Sequence, residues 1–165
     1  MTPELAIRCA TVDDMPEIMP MAVAAAKENA AFDASTECLI QMVWRALTLQ
    51  KGLAGVIGPP QGKIEGMVVL HIDPFEYTHE LCLIEKVIWV DPAYRSAKGG
   101  RATKLLQFAM QSADALGLKM CIGILSTSRT EAKVKLYRRV LGPESGAYWI
   151  YGGDGKGTQG HEVLA

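Results

Sequence analysis

The sequence predicts an α+β domain in which a mixed sheet is flanked by helices, and three observations lead there. Two segments with helical spacing precede most of the strand-like runs. A pair of apolar runs is joined by a turn of glycine and proline. A long apolar run then passes through a turn of small residues directly into an amphipathic helix. The 165 residues are 49% hydrophobic and carry 17 Lys+Arg against 18 Asp+Glu, a formal net charge of −1. A domain of this length buries roughly 70% of the surface its unfolded chain exposes, so it needs neither disulfides nor metal to fold. Residues 1–165 read as one domain ending in a glycine-rich tail over 152–165.

The elements come in the following order. Thr11-Val12-Asp13-Asp14 has the form of a capping box, and Met15, Ile18, Met19, Ala22 and Ala25 recur at helical spacing behind it, with Pro20 expected to kink or split the helix. Thr36 is the expected cap of a second helix, whose stripe is Leu39, Ile40, Val43, Trp44 and Leu47. Leu53 to Ile57 and Ile64 to Ile72 form a hairpin about Gly58-Pro59-Pro60-Gln61-Gly62. In Leu81 to Val90 only Glu85 and Lys86 are not apolar, the pattern of a strand covered on both faces, which places it at the centre of the sheet. A helix from Ala102 to Leu116 ends at Gly117, with Leu118 set for the contact of a C-terminal cap. Met120 to Leu125 is a short strand, Thr130 to Val140 a further helix, and Ala147 to Tyr151 a last strand.

Composition removes several functions. No run approaches the ~18 apolar residues of a membrane span, and the first residues lack a basic segment followed by an apolar one. The expectation is a cytoplasmic protein with no membrane partner. A pI of about 6.3 gives no electrostatic footprint for nucleic acid. Cys9, Cys38, Cys82 and Cys121 show no C-x-x-C spacing and read as core thiols, and His71, His79 and His161 form no ligand-spaced cluster, so no metal is expected. Gly155 to Gly160 matches G-x-G-x-x-G, but too few residues come after it to start the helix that would hold a pyrophosphate. Gly58 to Lys63 is one residue short of a phosphate loop and is followed by Ile64 instead of Ser or Thr, so it reads as a hairpin turn.

The informative segment is Val90 to Ala102, a buried strand turning into an amphipathic helix. Free N–H groups at a helix start converge on one point, the helix dipole favours an anion there, and Gly99 and Gly100 allow close backbone approach. Arg95, Lys98 and Arg101 add positive charge, so the segment reads as a pyrophosphate site rather than an ordinary connection. Here the sequence resembles the GNAT acetyltransferases, which move an acetyl group from acetyl-CoA to an amine. Val90, Pro92, Tyr94, Arg95 and Gly100 match the family's V-x-P-x-[YF]-R-x-x-G-x-G/A, with Lys98 in place of the first turn glycine and Gly99 displaced by one. Of the later N-x-x-A-x-x-[LF]-Y-x-x-x-G-F, the chain has Thr130, Lys133, Leu136 and Tyr137, then Gly142 one place late and no Phe.

The resemblance implies a mostly antiparallel sheet with helices on both faces, and acetyl-CoA as co-substrate. It implies that Ile88, Trp89 and Val90 meet the pantetheine arm, and that Arg95, Ser96, Ala97, Lys98, Gly99, Gly100, Arg101 and Ala102 hold the phosphates. Trp89 is equally readable as core. It also places Tyr137 where the family carries the acid for the leaving thiolate; the other reading is a half-buried tyrosine packed with Leu136. An alkyl ammonium of pKa about 10 must lose a proton before it attacks a thioester. Glu85, the carboxylate within the apolar strand, is the candidate base, because burial raises a carboxyl pKa; pairing with a structural cation is the competing role. The expected acceptor is a small-molecule or peptide amine, and the oligomeric state, a homodimer included, is left open. The displaced glycine and missing Asn motivate a second reading, an acyl-CoA-binding module without catalysis. A third, an aminoacyl-tRNA acetyltransferase of toxin type, has the net charge against it.

Overall fold

The structure is a computed structural model and describes residues 4–29, 31–95, 99–126 and 129–150. Strand β1 (Ala6–Cys9) leads through a short 3-10 turn into helices α1 (Met15–Asn29) and α2 (Thr36–Leu47). Strands β2 (Gly52–Gly58), β3 (Gly66–Pro74) and β4 (Leu81–Val90) come next, then α3 (Arg101–Leu116), β5 (Lys119–Cys121) and α4 (Thr130–Leu141). The sheet runs in chain order, β1-β2-β3-β4-β5; the first three pairings are antiparallel and β4 with β5 is parallel. The α+β architecture expected from the sequence is therefore present. None of the helices among the described residues is long and apolar enough to cross a membrane.

Side chains alternate across the sheet, and each face buries its own cluster. Met67, Val69 and Trp89 pack with Ile18, Ala22 and Ala25 of α1 and with Val43, Ala46 and Leu47 of α2. Val68, Leu70, Leu83 and Val90 pack with Leu105, Ala109 and Ala113 of α3. Helix α3 stops where expected: Gly117 is left-handed at φ +65°, and the Leu118 N–H donates to the Ala113 carbonyl at 3.0 Å. The capping residues of the first helical turn also pair as read, with the Asp14 carboxylate accepting the Thr11 N–H at 2.8 Å and a two-bond fork from Arg8.

Several details differ from expectation. The centre of the sheet is β3, whose residues Gly66 to His71 are all buried, whereas β4 is fully buried only at Cys82, Leu83, Trp89 and Val90. An apolar run cannot distinguish a strand sandwiched between layers from one whose side chains line a groove. Pro20 lies inside α1 without splitting it. The cap of α2 is Ser35, whose hydroxyl accepts the Cys38 N–H, and not Thr36. Ile40 and Trp44 of that helix face outward at 44% and 47% exposure, since the buried arc is centred on Val43 and Ala46. Cys9 and Cys38 are exposed, so only Cys82 is a core thiol. Strand β5 closes at Cys121, well short of Leu125, and residues 147–150 pair with no strand. Tyr151 and the glycine-rich tail lie outside the described residues.

Two features of β4 open one side of the sheet. Its ladder with β3 carries a bulge: Leu70 faces Glu85 and Val69 faces Val87, leaving Lys86 as the extra residue. On its other edge it is bonded to β5 only over Cys82 to Ile84, so among the described residues its second half, Glu85 to Val90, has no strand beside it there. Helix α4 and the segment after β5 border this opening.

Candidate active site

The turn after β4 is tied down by carboxylates. Asp91 caps the short 3-10 turn Pro92–Tyr94, its carboxylate accepting the Ala93 N–H at 2.9 Å. Arg95 donates from Nε to the Val90 carbonyl at 2.8 Å and from both terminal nitrogens to Glu28 of α1, at 2.6 and 2.7 Å. Trp89 Nε1 donates to the same carboxylate at 2.6 Å, and the Arg95 guanidinium lies 5.4 Å from the Trp89 ring centroid. Arg95, first, and then the Trp89 donor hold the Glu28 carboxyl below its usual range. Arg101 is buried, donates from Nε to Glu65 at 2.5 Å and stacks 4.9 Å from the Tyr94 ring centroid. Gly99 (φ +118°) and Gly100 (φ +57°) carry the chain into α3; a Cβ on Gly99 would stand 2.5 Å from Leu5 Cδ1. The cap of α3 is Gly100, which has no side chain to occupy the first free N–H groups of the helix.

Two cavities meet along the free half of β4. The first, about 270 Å³, lies between Ile88, Trp89 and Val90 on one side and the start of α3 and one face of α4 on the other, with Arg95, Gly100, Arg101 and Ala102 in its wall. Arg129, which caps α4, and Arg139 of α4 line it as well. The second, about 620 Å³, is bounded by Glu85, the end of α1 and the segment after β5, with Phe32 and Tyr148 at its walls. Among the described residues, four line both: Ile88, Trp89, Lys133 and Tyr137.

The electrostatics of the junction arise from burial. Glu85 is partly buried on the bulged stretch of β4, and desolvation lifts its carboxyl to about 7 against the opposing pull of the Gly123 N–H, Lys133 and Lys86. Tyr137 is buried, and burial, then the charge of Glu85, pushes its phenol well above the ordinary value, which keeps it a proton donor. Lys133, one helical turn before Tyr137, is half-buried; desolvation lowers its ammonium, with Arg95 and Arg129 acting in the same direction and Glu28 and Glu85 against it.

Of the residues singled out in the sequence, Ile88, Trp89, Val90, Arg95, Gly100, Arg101, Ala102 and Tyr137 share the first cavity, while Glu85 stands in the second. Gly99 immediately precedes the cap. Ser96, Ala97 and Lys98 lie outside the described residues. Arg95 and Arg101, expected to offer charge to a phosphate, are each paired with a carboxylate, Glu28 and Glu65. Sequence reading missed Glu28, Glu65, Arg129 and the placement of Lys133; only Lys133 had a local signal, its i,i+4 spacing to Tyr137.

The chain belongs to the acetyltransferase (GNAT) family, whose model matches residues 21–142. Solved structures with the same fold include a predicted acetyltransferase from Clostridium acetobutylicum with acetyl-CoA, at 13% identity, TM-score 0.71, covering 91% of this chain and 96% of that one. A ribosomal-protein-alanine N-acetyltransferase from Brucella melitensis biovar Abortus aligns at 16% identity and TM-score 0.68, over 89% and 97% of the two chains. An aminoglycoside antibiotic 6'-N-acetyltransferase from Acinetobacter baumannii aligns at 14% identity and TM-score 0.67, over 92% and 99%. No curated protein sequence matches the chain.

Proposed function

We propose that this protein transfers the acetyl group of acetyl-CoA directly to the primary amine of a small molecule or peptide. The observation that carries the reading is the position of Tyr137, on the wall shared by two cavities, with a glycine-capped helix start on one side and a carboxyl of pKa about 7 on the other. The first cavity suits the cofactor: the uncapped N–H groups of α3 and the guanidinium groups around them would hold the pyrophosphate, and the unpaired edge of β4 at Ile88 to Val90 would hold the pantetheine amides. Acetyl-CoA supplies the activated acetyl thioester. The second cavity takes the amine. Glu85, half ionised near neutral pH, removes its proton, directly or through one water, and Tyr137 donates a proton to the departing sulfur. The structural neighbours that act on an aminoglycoside and on a ribosomal-protein alanine support an amine acceptor as the common chemistry.

Calorimetric titration of acetyl-CoA, followed by thiol release with a panel of amines, tests the reading. Binding with amine-dependent thiol release supports it; binding without release under any amine would favour the non-catalytic module.

Tyr137→Phe should lower the single-turnover rate by about 10², because a thiol of pKa near 8.5 leaves tolerably as the thiolate and acid assistance sits at the low end of its ~10² to 10⁴ range. Phenylalanine keeps the buried ring, so acetyl-CoA affinity should change little. A single-turnover rate within about threefold of wild type would remove Tyr137 from the mechanism.

A further inference from the structure

Among the described lysines, Lys133 alone lines both cavities; Lys86 borders only the second and is exposed. It sits four residues before Tyr137, so on α4 the two share a face with their Cβ atoms about 5–6 Å apart. A thioester held at the wall the two cavities share therefore meets both the Tyr137 and the Lys133 side chains. From this placement we infer that Lys133 is a self-acetylation site, modified by the protein's own bound acetyl-CoA when no acceptor amine is present. The inference rests on the acetyl-CoA reading of the site.

The step balances without any further reactant. Lys133 loses a proton to Glu85, which lines the second cavity with it and whose charge acts on it. The neutral Nζ then attacks the thioester carbonyl carbon, the N–C bond forms as the C–S bond breaks, the departing sulfur takes a proton from Tyr137, and the second proton that the new amide nitrogen must shed restores the Tyr137 hydroxyl. The products are an amide on Lys133 and free CoA thiol. Burial, which shifts the lysine toward its neutral form, works in favour of this reaction. The charged groups whose fields act on Nζ are Glu28 on α1, Glu85 on β4, Arg95 in the turn and Arg129, which caps α4. The amide removes a positive charge beside Glu85 and adds a group to the wall between the cavities.

The test is intact-mass and peptide-mapping measurement of the protein incubated with acetyl-CoA and no amine. The expected result is a single acetyl group on Lys133, formed at a rate unchanged by tenfold dilution of the protein, slowed in Glu85→Gln and absent in Lys133→Arg. Acetyl groups spread over exposed lysines with no preference for Lys133, or a rate that falls on dilution, would overturn it. An unmodified Lys133 in protein that binds acetyl-CoA by calorimetry overturns this inference and leaves the proposed function standing. Absence of acetyl-CoA binding overturns both.

Discussion

Gly100→Glu is expected to abolish acetyl-CoA binding, a loss of at least about 10², while leaving the protein folded. The residue caps α3 in the left-handed region at φ +57° and ψ +47°, and a Cβ there meets nothing closer than Thr103 at 3.8 Å. The structural cost is thus a backbone term of roughly 1–2 kcal/mol without a clash. The functional cost is larger. A carboxylate at this cap stands where the N–H groups of α3 converge and takes the place proposed for the pyrophosphate, so its charge would oppose the ligand and its oxygens would consume the donors. Each charge-assisted bond lost is worth roughly 1.5–3 kcal/mol, and two such losses exceed the 10² threshold. Gly100→Asn separates the two effects, because asparagine tolerates the left-handed conformation without adding charge; it should retain most of the affinity. Unchanged affinity in folded Gly100→Glu would exclude the start of α3 as the phosphate site.

Glu85→Gln should lower the rate of amine acetylation by about 10² or more at pH 7. Wild-type activity should climb as pH rises through about 7, where the carboxyl ionises, and the deficit of the variant should shrink at higher pH as the free amine deprotonates unaided. An equal deficit at every pH would leave Glu85 with a structural role. The same substitution has a thermodynamic signature of opposite sign. The carboxyl titrates at 4.5 when unfolded and at about 7 when folded, so between these values the native state binds more protons than the unfolded one. Wild-type stability must then fall as pH rises through that window. Glutamine removes this dependence. Melting temperatures compared at pH 5 and pH 8 should therefore move in favour of the variant at the higher pH; an unchanged difference would mean that Glu85 is not desolvated in the native protein.

What could be read from the sequence was what local spacing encodes. The bounds of β4 agree with the apolar run from Leu81 to Val90, the hairpin of β2 and β3 forms about its glycine-and-proline turn, and α3 stops at Gly117 through the cap its neighbours specify. Glu85 stood out because a carboxylate inside an apolar strand is conspicuous wherever the strand lies. Pairings between distant segments were hidden. Arg95 and Glu28 are 67 residues apart and Arg101 and Glu65 are 36 apart, and nothing in the basic turn announces which carboxylates will reach it. The bulge opposite Val69 and Leu70 was equally hidden, since two ladders of different register leave the same apolar pattern. The strand expected over Ala147 to Tyr151 differs for a related reason: an apolar run suits a strand, but a strand also needs a neighbour, and among the described residues 147–150 have none.

The short register of β5 bears on how this fold changes over generations. The second cavity is walled in part by Gly123 to Ser126 and by Tyr148 and Ile150, segments that among the described residues contribute no rungs to the ladder and no residue to either core cluster. Substitutions in the wall therefore draw little on global stability, and those segments should exchange their amide hydrogens well before β3 does. On the proposed function, a scaffold arranged in this way would trade one acceptor for another by altering a few exposed side chains such as Tyr148, 77% exposed, while the residues that would hold the cofactor stay under the constraints of the core.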